Sequence, residues 1–411
     1  MDIVITGLGC VSPLGGDMES TWAAMLEGQS GIASITQFES DGLPVHIAGE
    51  VKNFDPEPTS GRKTARRMSR FSQLAVAATA EALADAGALD AYDPERAGVI
   101  VASGVGGLKE IEDATKILEH QGHRRISPFV VPMMIADMAS GNVAIRFDMR
   151  GPNFGLVSAC ASGAHAIGEA AEIIRRGDAD LMIAGGSEAC ITPLAVASFI
   201  AARALSESTE DPATVSRPFD NARDGFVIAE GAAVMVLESE EHAVRRGARI
   251  LARVAGYGAS ADAHHITAPE PGGRGAFASM SRALERAQAT PAEVGYINAH
   301  GTSTQLNDAA ESAAIRRLFG DRADTVPVSS TKSMTGHLLG AAGALESLVC
   351  VKAIQTGWIP PTINLDHPDP GCNLNHVRHG AIQQQVDLAL NNSFGFGGHN
   401  ASLVFAAVPS P

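Results

Sequence analysis

The chain has 411 residues, 45% of them hydrophobic, with 31 basic and 46 acidic side chains and a formal net charge of −15. This length carries two or more core-forming units, the acidic balance argues against nucleic-acid affinity, and no apolar stretch approaches a membrane span. The 5 cysteines are scattered and never spaced as CxxC, which argues against a disulfide framework or a zinc site and for a reducing cytoplasm.

From the N-terminus, "MDIVITGLGCVSPLG" opens with an acid and a short strand-like run, without the basic flank and long apolar core of a secretory signal. "KTARRMSRFSQLAVAATAEALADAGAL" predicts a helix over 63–89, and "RAGVIVAS" a strand after it. "VSACASGAHAIGEAAEIIRRG" then places Cys160 where an apolar run turns into a helix that closes at Gly177. "DADLMIAGGSE" and "GAAVMVLES" read as strands, and "EEHAVRRGARILARVAGYG" marks a change of unit near 250, dividing the chain into halves 1–250 and 251–411. In the second half, strands are predicted at "EVGYINAHGT", "VPVSSTKS" and "ASLVFAA". Helices are predicted at "RGAFASMSRALERAQA", "NDAAESAAIRRLFG" and "LLGAAGALESLVCVKAIQTG". Such alternation is the pattern of an α/β protein. "SSTKSMTGHLLGAAGALESLVCVKAIQTG" also echoes the Cys160 segment: polar loop, small-residue helix, terminal glycine.

Four loops carry chemistry. A cysteine at a helix N-terminus sits near partial positive charge, which favours its thiolate, although a free cysteine is also a common buried core residue. "NAHGTSTQLND" holds His300, and "STKSMTGHLLGAAG" holds Lys332 and His337; "NNSFGFGGHN" packs glycines around two phenylalanines. A nucleophile, two histidine donors and a glycine loop presenting N–H groups are the parts of acyl transfer through a thioester. The His264–His265 pair reads as structural, since no carboxylate or cysteine accompanies it at ligand spacing.

These segments occur in the order seen in the β-ketoacyl-acyl carrier protein synthases of the thiolase superfamily, which the chain resembles from "VITGLGCVSPLG" through "RPFDNARDGFVIAEGA" to "NNSFGFGGHNASLVF". It is most similar to the bacterial type II elongation enzymes. The resemblance implies an α/β fold of five alternating layers, αβαβα, from two similar halves, in a cytoplasmic homodimer. It implies that Cys160 accepts the acyl chain, that His300 and His337 support decarboxylation of the malonyl donor, and that the N–H groups of Cys160 and Phe396 form an oxyanion hole. Lys332 is expected to hold the histidine loops through Glu311, and Phe396 to gate the glycine loop. Thr267, Thr302 and Thr304 match contacts to the phosphopantetheine arm, which the acyl carrier protein supplies; no other cofactor is implied. Val105 and Phe199 match acyl-pocket walls. Lys63, Arg66, Arg67, Arg124 and Arg125, with Arg203, form the expected docking patch for the acidic carrier protein. Asn298, Ala299, Glu346, Asn391 and Asn392 match a structural site for Na+ or K+. The chain departs from the usual pattern at "SACASG", at Gln305 and at His399, residues that bear on subfamily. A polyketide or specialised lipid ketosynthase is the alternative reading. A thiolase is disfavoured by His337, and a chain-length partner subunit by Cys160.

Overall fold

Residues along each strand alternate between two cores, and that alternation builds the layers. In the strand Gly231–Ser239, Ala232, Val234 and Val236 enter one apolar cluster, while Ala233, Met235 and Leu237 enter another. The two-residue period of a strand requires this. In His399–Ala406, Ala401, Leu403 and Phe405 join the same middle cluster, whereas Val404 turns to a third. The computed structural model describes residues 2–89 and 91–408.

Nine strands form the main sheet: β1 Ile3–Val11, β2 Ala97–Ala102, β3 Leu181–Glu188, β4 Gly231–Ser239, β5 Ala252–Ala261, β6 Tyr296–Asn298, β7 Val328–Ser329, β8 Leu388–Gly395 and β9 His399–Ala406. Their order across the sheet is β2-β3-β4-β1-β5-β9-β8-β6-β7. The second half thus runs third, second, fourth, fifth, first. The first half follows the same order, its third position reduced to a single parallel bridge from Asn153 to Val99. The equivalent first strands β1 and β5 meet at the centre, paired at Val4–Arg253 and Ile5–Ala252.

Helices α1 Arg70–Asp85 and α2 Met138–Phe147 cover one outer face, and α4 Arg274–Arg286 and α5 Gln305–Phe319 the other. Between the half-sheets lie α3 Ser162–Arg175 and α6 Ala342–Thr356, packed on each other. The result is the expected five layers. The two middle helices approach reciprocally. A Cβ on Gly163 would come within 3.0 Å of the Ala344 Cβ, and one on Gly343 within 3.0 Å of the Ala164 Cβ.

Two sequence expectations are corrected. The predicted helix over 63–89 is interrupted: a short turn of helix, Arg62–Ala65, precedes α1, and Ser69 between them is extended with ψ 157° as the residue before α1. The strand read in "VPVSSTKS" is only Val328–Ser329, and Lys332 already begins a short helix, Lys332–Thr335. No helix among the described residues is long and apolar enough to cross a membrane.

Candidate active site

Cys160 occupies the middle of a helical turn, Ala159–Ala161, that leads directly into α3. Ala159 there has φ 51°, a left-handed conformation that costs a non-glycine residue roughly 1–2 kcal/mol. The same device recurs before α6, where the turn Leu339–Ala341 begins with Leu339 at φ 47°. The echo in the sequence is therefore a duplicated elbow, with Gly340 standing where the first copy has Cys160.

Cys160 lines a cavity of about 320 Å3. The other four cysteines are fully buried, and Cys160 alone is partly open. A ring nitrogen of His300, a ring nitrogen of His337 and the Cys160 sulfur all lie within 4.8 Å of one another. His300 arrives on the loop after β6, and His337 on the loop before the second elbow. The two rings meet edge to face at 5.4 Å.

Their protons can be placed. The Leu339 N–H donates to His337 Nδ1 at 3.3 Å, and His337 Nε2 is buried with no partner among the described residues. Nε2 therefore carries the hydrogen. Lys332 Nζ donates to the His300 carbonyl at 2.5 Å and lies 3.4 Å from His300 Nδ1. An ammonium only donates, so the His300 hydrogen also sits on Nε2. Burial, reinforced by the Lys332 charge, holds both imidazoles well below the usual histidine range. The site thus presents two neutral N–H donors beside the sulfur.

The cysteine differs from expectation. Burial pushes the Cys160 thiol up to about 11, although Lys332 and the Phe396 N–H both pull it down. In the resting site it is a thiol, since desolvation outweighs the helix-end charge that the sequence suggested. Lys332 differs too. Its carboxylate partner is Glu346, not Glu311. Glu311 instead accepts the N–H groups of His300 and Gly301, both at 2.8 Å, and fixes the His300 loop from behind. Burial raises the carboxyls of Glu311 and Glu346 to about 7 each.

Val105, Phe199, Thr267, Thr302 and Thr304 all line the cavity of Cys160. Phe199 packs edge to face on Phe226 at 5.3 Å, and Phe226 on His337 at 5.2 Å. Thr302 and Thr304 share a hydroxyl hydrogen bond of 2.9 Å. Gly395 abuts the elbow so closely that a Cβ there would lie 3.0 Å from the Cys160 nitrogen, and the next N–H, of Phe396, reaches the sulfur. Lys63, Arg66 and Arg67 are exposed around a half-buried Phe129, and the Arg67 guanidinium lies 4.8 Å over the Phe129 ring. Arg124 and Arg125 are exposed on the turn His123–Arg125, a few residues before Phe129. Arg203 lies apart from this cluster and lines the catalytic cavity.

The oxygen-rich cluster fits a hard cation in part. Asn298 and Asn391 face each other across β6 and β8. Asn298 Oδ1, Asn391 Oδ1 and Glu346 Oε2 are buried with no hydrogen-bond partner among the described residues, as oxygen ligands of a monovalent ion would be. The Asn392 side chain is already engaged, accepting from Ser402 and donating to Glu311, and Ala299 has no side-chain oxygen to offer.

Two further residues escaped the sequence reading. Arg223, within "RPFDNARDGFVIAEGA", is fully buried and donates to the carbonyls of Thr304 at 3.1 Å and Gln305 at 3.0 Å, with Asp369 at 2.8 Å as counter-ion. An arginine among aspartates could have signalled it. Glu188, at the end of an apolar strand, is fully buried beside the second elbow.

Two family profiles match in tandem: β-ketoacyl synthase, N-terminal domain, over residues 1–243, and β-ketoacyl synthase, C-terminal domain, over 251–366. The chain belongs to the β-ketoacyl synthase family. This synthase is 48% identical over 404 residues to the protein named 3-oxoacyl-[acyl-carrier-protein] synthase 2 of Synechocystis sp., covering 98% of this chain and 97% of the relative. It is 49% identical over 405 residues to the protein of that name in Staphylococcus aureus, again with 98% and 97% coverage. Among solved structures, a β-ketoacyl synthase from Burkholderia phymatum superimposes with TM-score 0.91 at 38% identity over 99% of both chains. The ishigamide ketosynthase/chain length factor does so with TM-score 0.93 at 36% identity over 99% of both. A type II polyketide ketosynthase, solved in complex with its acyl-carrier protein, gives 0.91 at 35% over the same share.

Proposed function

We propose that this synthase elongates fatty acyl chains by condensing malonyl-acyl carrier protein with an acyl group held on Cys160. The observation that carries the reading is the meeting of one accessible cysteine, two neutral imidazole N–H donors and the Phe396 N–H in a single cavity. Near half-identity along almost the whole chain to two 3-oxoacyl-[acyl-carrier-protein] synthases supports fatty acyl over polyketide substrates. In acylation the Cys160 sulfur attacks the thioester carbonyl. Its proton leaves with the carrier thiol. In condensation the malonyl group loses carbon dioxide, and the enolate oxygen is held by the His300 and His337 Nε2–H groups. The carbanion attacks the Cys160 thioester, whose oxygen is held by the Cys160 and Phe396 N–H groups. The thiolate released takes up one proton, so the cycle closes without a redox partner. Each oxyanion donor is worth roughly 3–4 kcal/mol in a dry site.

The same reading assigns Thr267, Thr302 and Thr304 to the phosphopantetheine arm. Lys63, Arg66 and Arg67, with Arg124, Arg125 and Arg203, are assigned to the carrier-protein surface, and Asn298, Asn391 and Glu346 to a monovalent cation. It places the protein in the cytoplasm as a homodimer. The dimer is supported by the exposed apolar side chains of Phe154 and Val157, which follow the single bridge of Asn153 to β2 at the outer position of the sheet. Intact-protein mass spectrometry after exposure to acyl-acyl carrier protein should show one acyl adduct, lost in Cys160→Ala. His300→Ala and His337→Ala should lose about 100-fold in malonyl decarboxylation while still accepting the acyl group. An adduct on Cys10, Cys190, Cys350 or Cys372, or wild-type condensation in both histidine variants, overturns the reading.

A further inference from the structure

The two elbows invite a comparison. Each is capped by a strand end from the opposite half. Gly395, at the end of β8, lies against the Cys160 elbow. Gly186, near the end of β3, lies against the second elbow, where a Cβ would meet the Gly340 carbonyl at 2.5 Å. The chemistry that the two strand ends bring is opposite. On the Cys160 elbow, the residue after Gly395 supplies an N–H group. On the Gly340 elbow, the strand brings the Glu188 carboxylate, and the Gly340 N–H donates to Glu188 Oε2 at 3.0 Å. The Gly340 N–H is the counterpart of the Cys160 N–H. A negative oxygen of the chain itself thus sits where the second elbow would hold an oxyanion.

The same carboxylate has other donors. Gly104 N–H reaches Oε2 at 2.8 Å, and Ser103 Oγ and Val105 N–H reach Oε1 at 2.8 and 3.3 Å. Ser103 Oγ in turn accepts from Gly106 N–H at 2.9 Å. Glu188 is fully buried, and every group bonded to it donates. There is no room for a side chain at position 340 beside it: a Cβ on Gly340 would lie 2.2 Å from the Gly104 nitrogen and 2.8 Å from Glu188 Oε2. Burial raises the Glu188 carboxyl, and these donors oppose that rise.

We propose that Glu188 is a positioning residue: its carboxylate fills the oxyanion hole of the silent second elbow, and from there it fixes the Ser103–Val105 turn that walls the acyl cavity. This rests on the reading of Cys160 and Val105 given above. The turn is short and glycine-rich, so its own backbone fixes Val105 weakly. The carboxylate takes two of its N–H groups and its serine at once. A Gln at 188 keeps the shape but turns two acceptor sites into donors. N–H groups of the turn or of the elbow are then left facing an N–H2 group.

The test uses the full-length chain with Glu188→Gln and Ser103→Ala, followed by amide hydrogen exchange and by acylation of Cys160 from a series of acyl-acyl carrier proteins. In Glu188→Gln, exchange should rise about 10-fold or more both at 103–107 and at 339–341. The ratio of long-primer to short-primer acylation should shift about 5-fold or more, because a loosened wall no longer excludes by overlap. Ser103→Ala, which removes one donor, should loosen both segments to a smaller degree, and it serves alone if Glu188→Gln does not fold. Faster exchange confined to 103–107, or a uniform loss across primers with an unchanged ratio, overturns the proposal. Val105→Phe separates the two readings. If it leaves primer preference unchanged while Glu188→Gln loosens both segments, the acyl-wall role of Val105 fails and the tie stands.

Discussion

At the residue scale, Lys332 shows how much one buried charge arranges. It holds the His300 carbonyl, blocks His300 Nδ1 and pairs with Glu346, all in the interior. It is also the charge that most lowers the Cys160 thiol against burial. The sign of its removal follows. In Lys332→Met the thiol loses a cation that favours its thiolate, so its pKa rises further above about 11. The rate of Cys160 alkylation by iodoacetamide at pH 8–9 should therefore fall, roughly tenfold for each unit gained. His300 and His337 lose a neighbour that disfavours their cations, so their pKa values climb back toward the usual range. Glu346 is left buried without its partner, a change that costs about 3–5 kcal/mol. A Lys332→Met protein that melts lower but alkylates at the wild-type rate would show that Lys332 is structural only. The sequence singled out Lys332, which the structure places beside His300, but named the wrong carboxylate. Glu311 and Glu346 both lie on predicted helices, and nothing in their spacing tells which helix face meets the lysine.

At the element scale, the fold was legible wherever a period could be read. Most strands of the two half-sheets and the helices α3 to α6 were visible as apolar patterns, and so was the repeat of the small-residue helix. Strand β8 was not, because "NNSFGFGGHN" reads as a glycine loop, whereas residues through Gly395 continue the strand and His399 begins the next. The interruption at Ser69 was not, because apolar residues continue at helical spacing on both sides of it. The close approach of the middle helices was hidden as well, since Gly163 and Gly343 reveal it only once the partner helix is known. That approach makes a prediction. A Cβ on Gly163 would lie 2.9 Å from both the Ala344 nitrogen and the Gly340 carbonyl, backbone atoms that cannot swing away. Gly163→Val should destabilise the protein by about 1–3 kcal/mol or more through overpacking. It should also lower acylation, because the clash falls between the two elbows. Gly16→Val, where a Cβ meets nothing within 4 Å, is the control. Equal melting temperatures for the two variants would mean that the helices are not held at this distance.

At the scale of the whole molecule, the charge balance and the site pull in opposite directions. The net charge of −15 should repel an acidic carrier protein at long range. Lys63, Arg66, Arg67, Arg124 and Arg125 have no carboxylate partner in an ion pair among the described residues, whereas Arg70, Arg96 and Arg246 do. Unpaired cations on an acidic protein keep their full field at short range. The Debye length at physiological salt is about 8 Å, so a partner feels the local patch and little of the distant negative surface. Phe129 beneath Arg67 offers an apolar contact inside the same patch. Composition alone could not reveal this, because it averages the patch away. Arg66→Glu with Arg67→Glu should then raise KM for malonyl-acyl carrier protein about tenfold or more and flatten its dependence on salt, since rim charges act mainly on encounter. Acylation from a carrier-free pantetheine thioester separates docking from folding, as that substrate does not use the patch. A wild-type KM with the usual salt slope would remove these residues from the docking surface. A loss of equal size on both substrates would assign the effect to the turn Arg62–Ala65 and its packing instead.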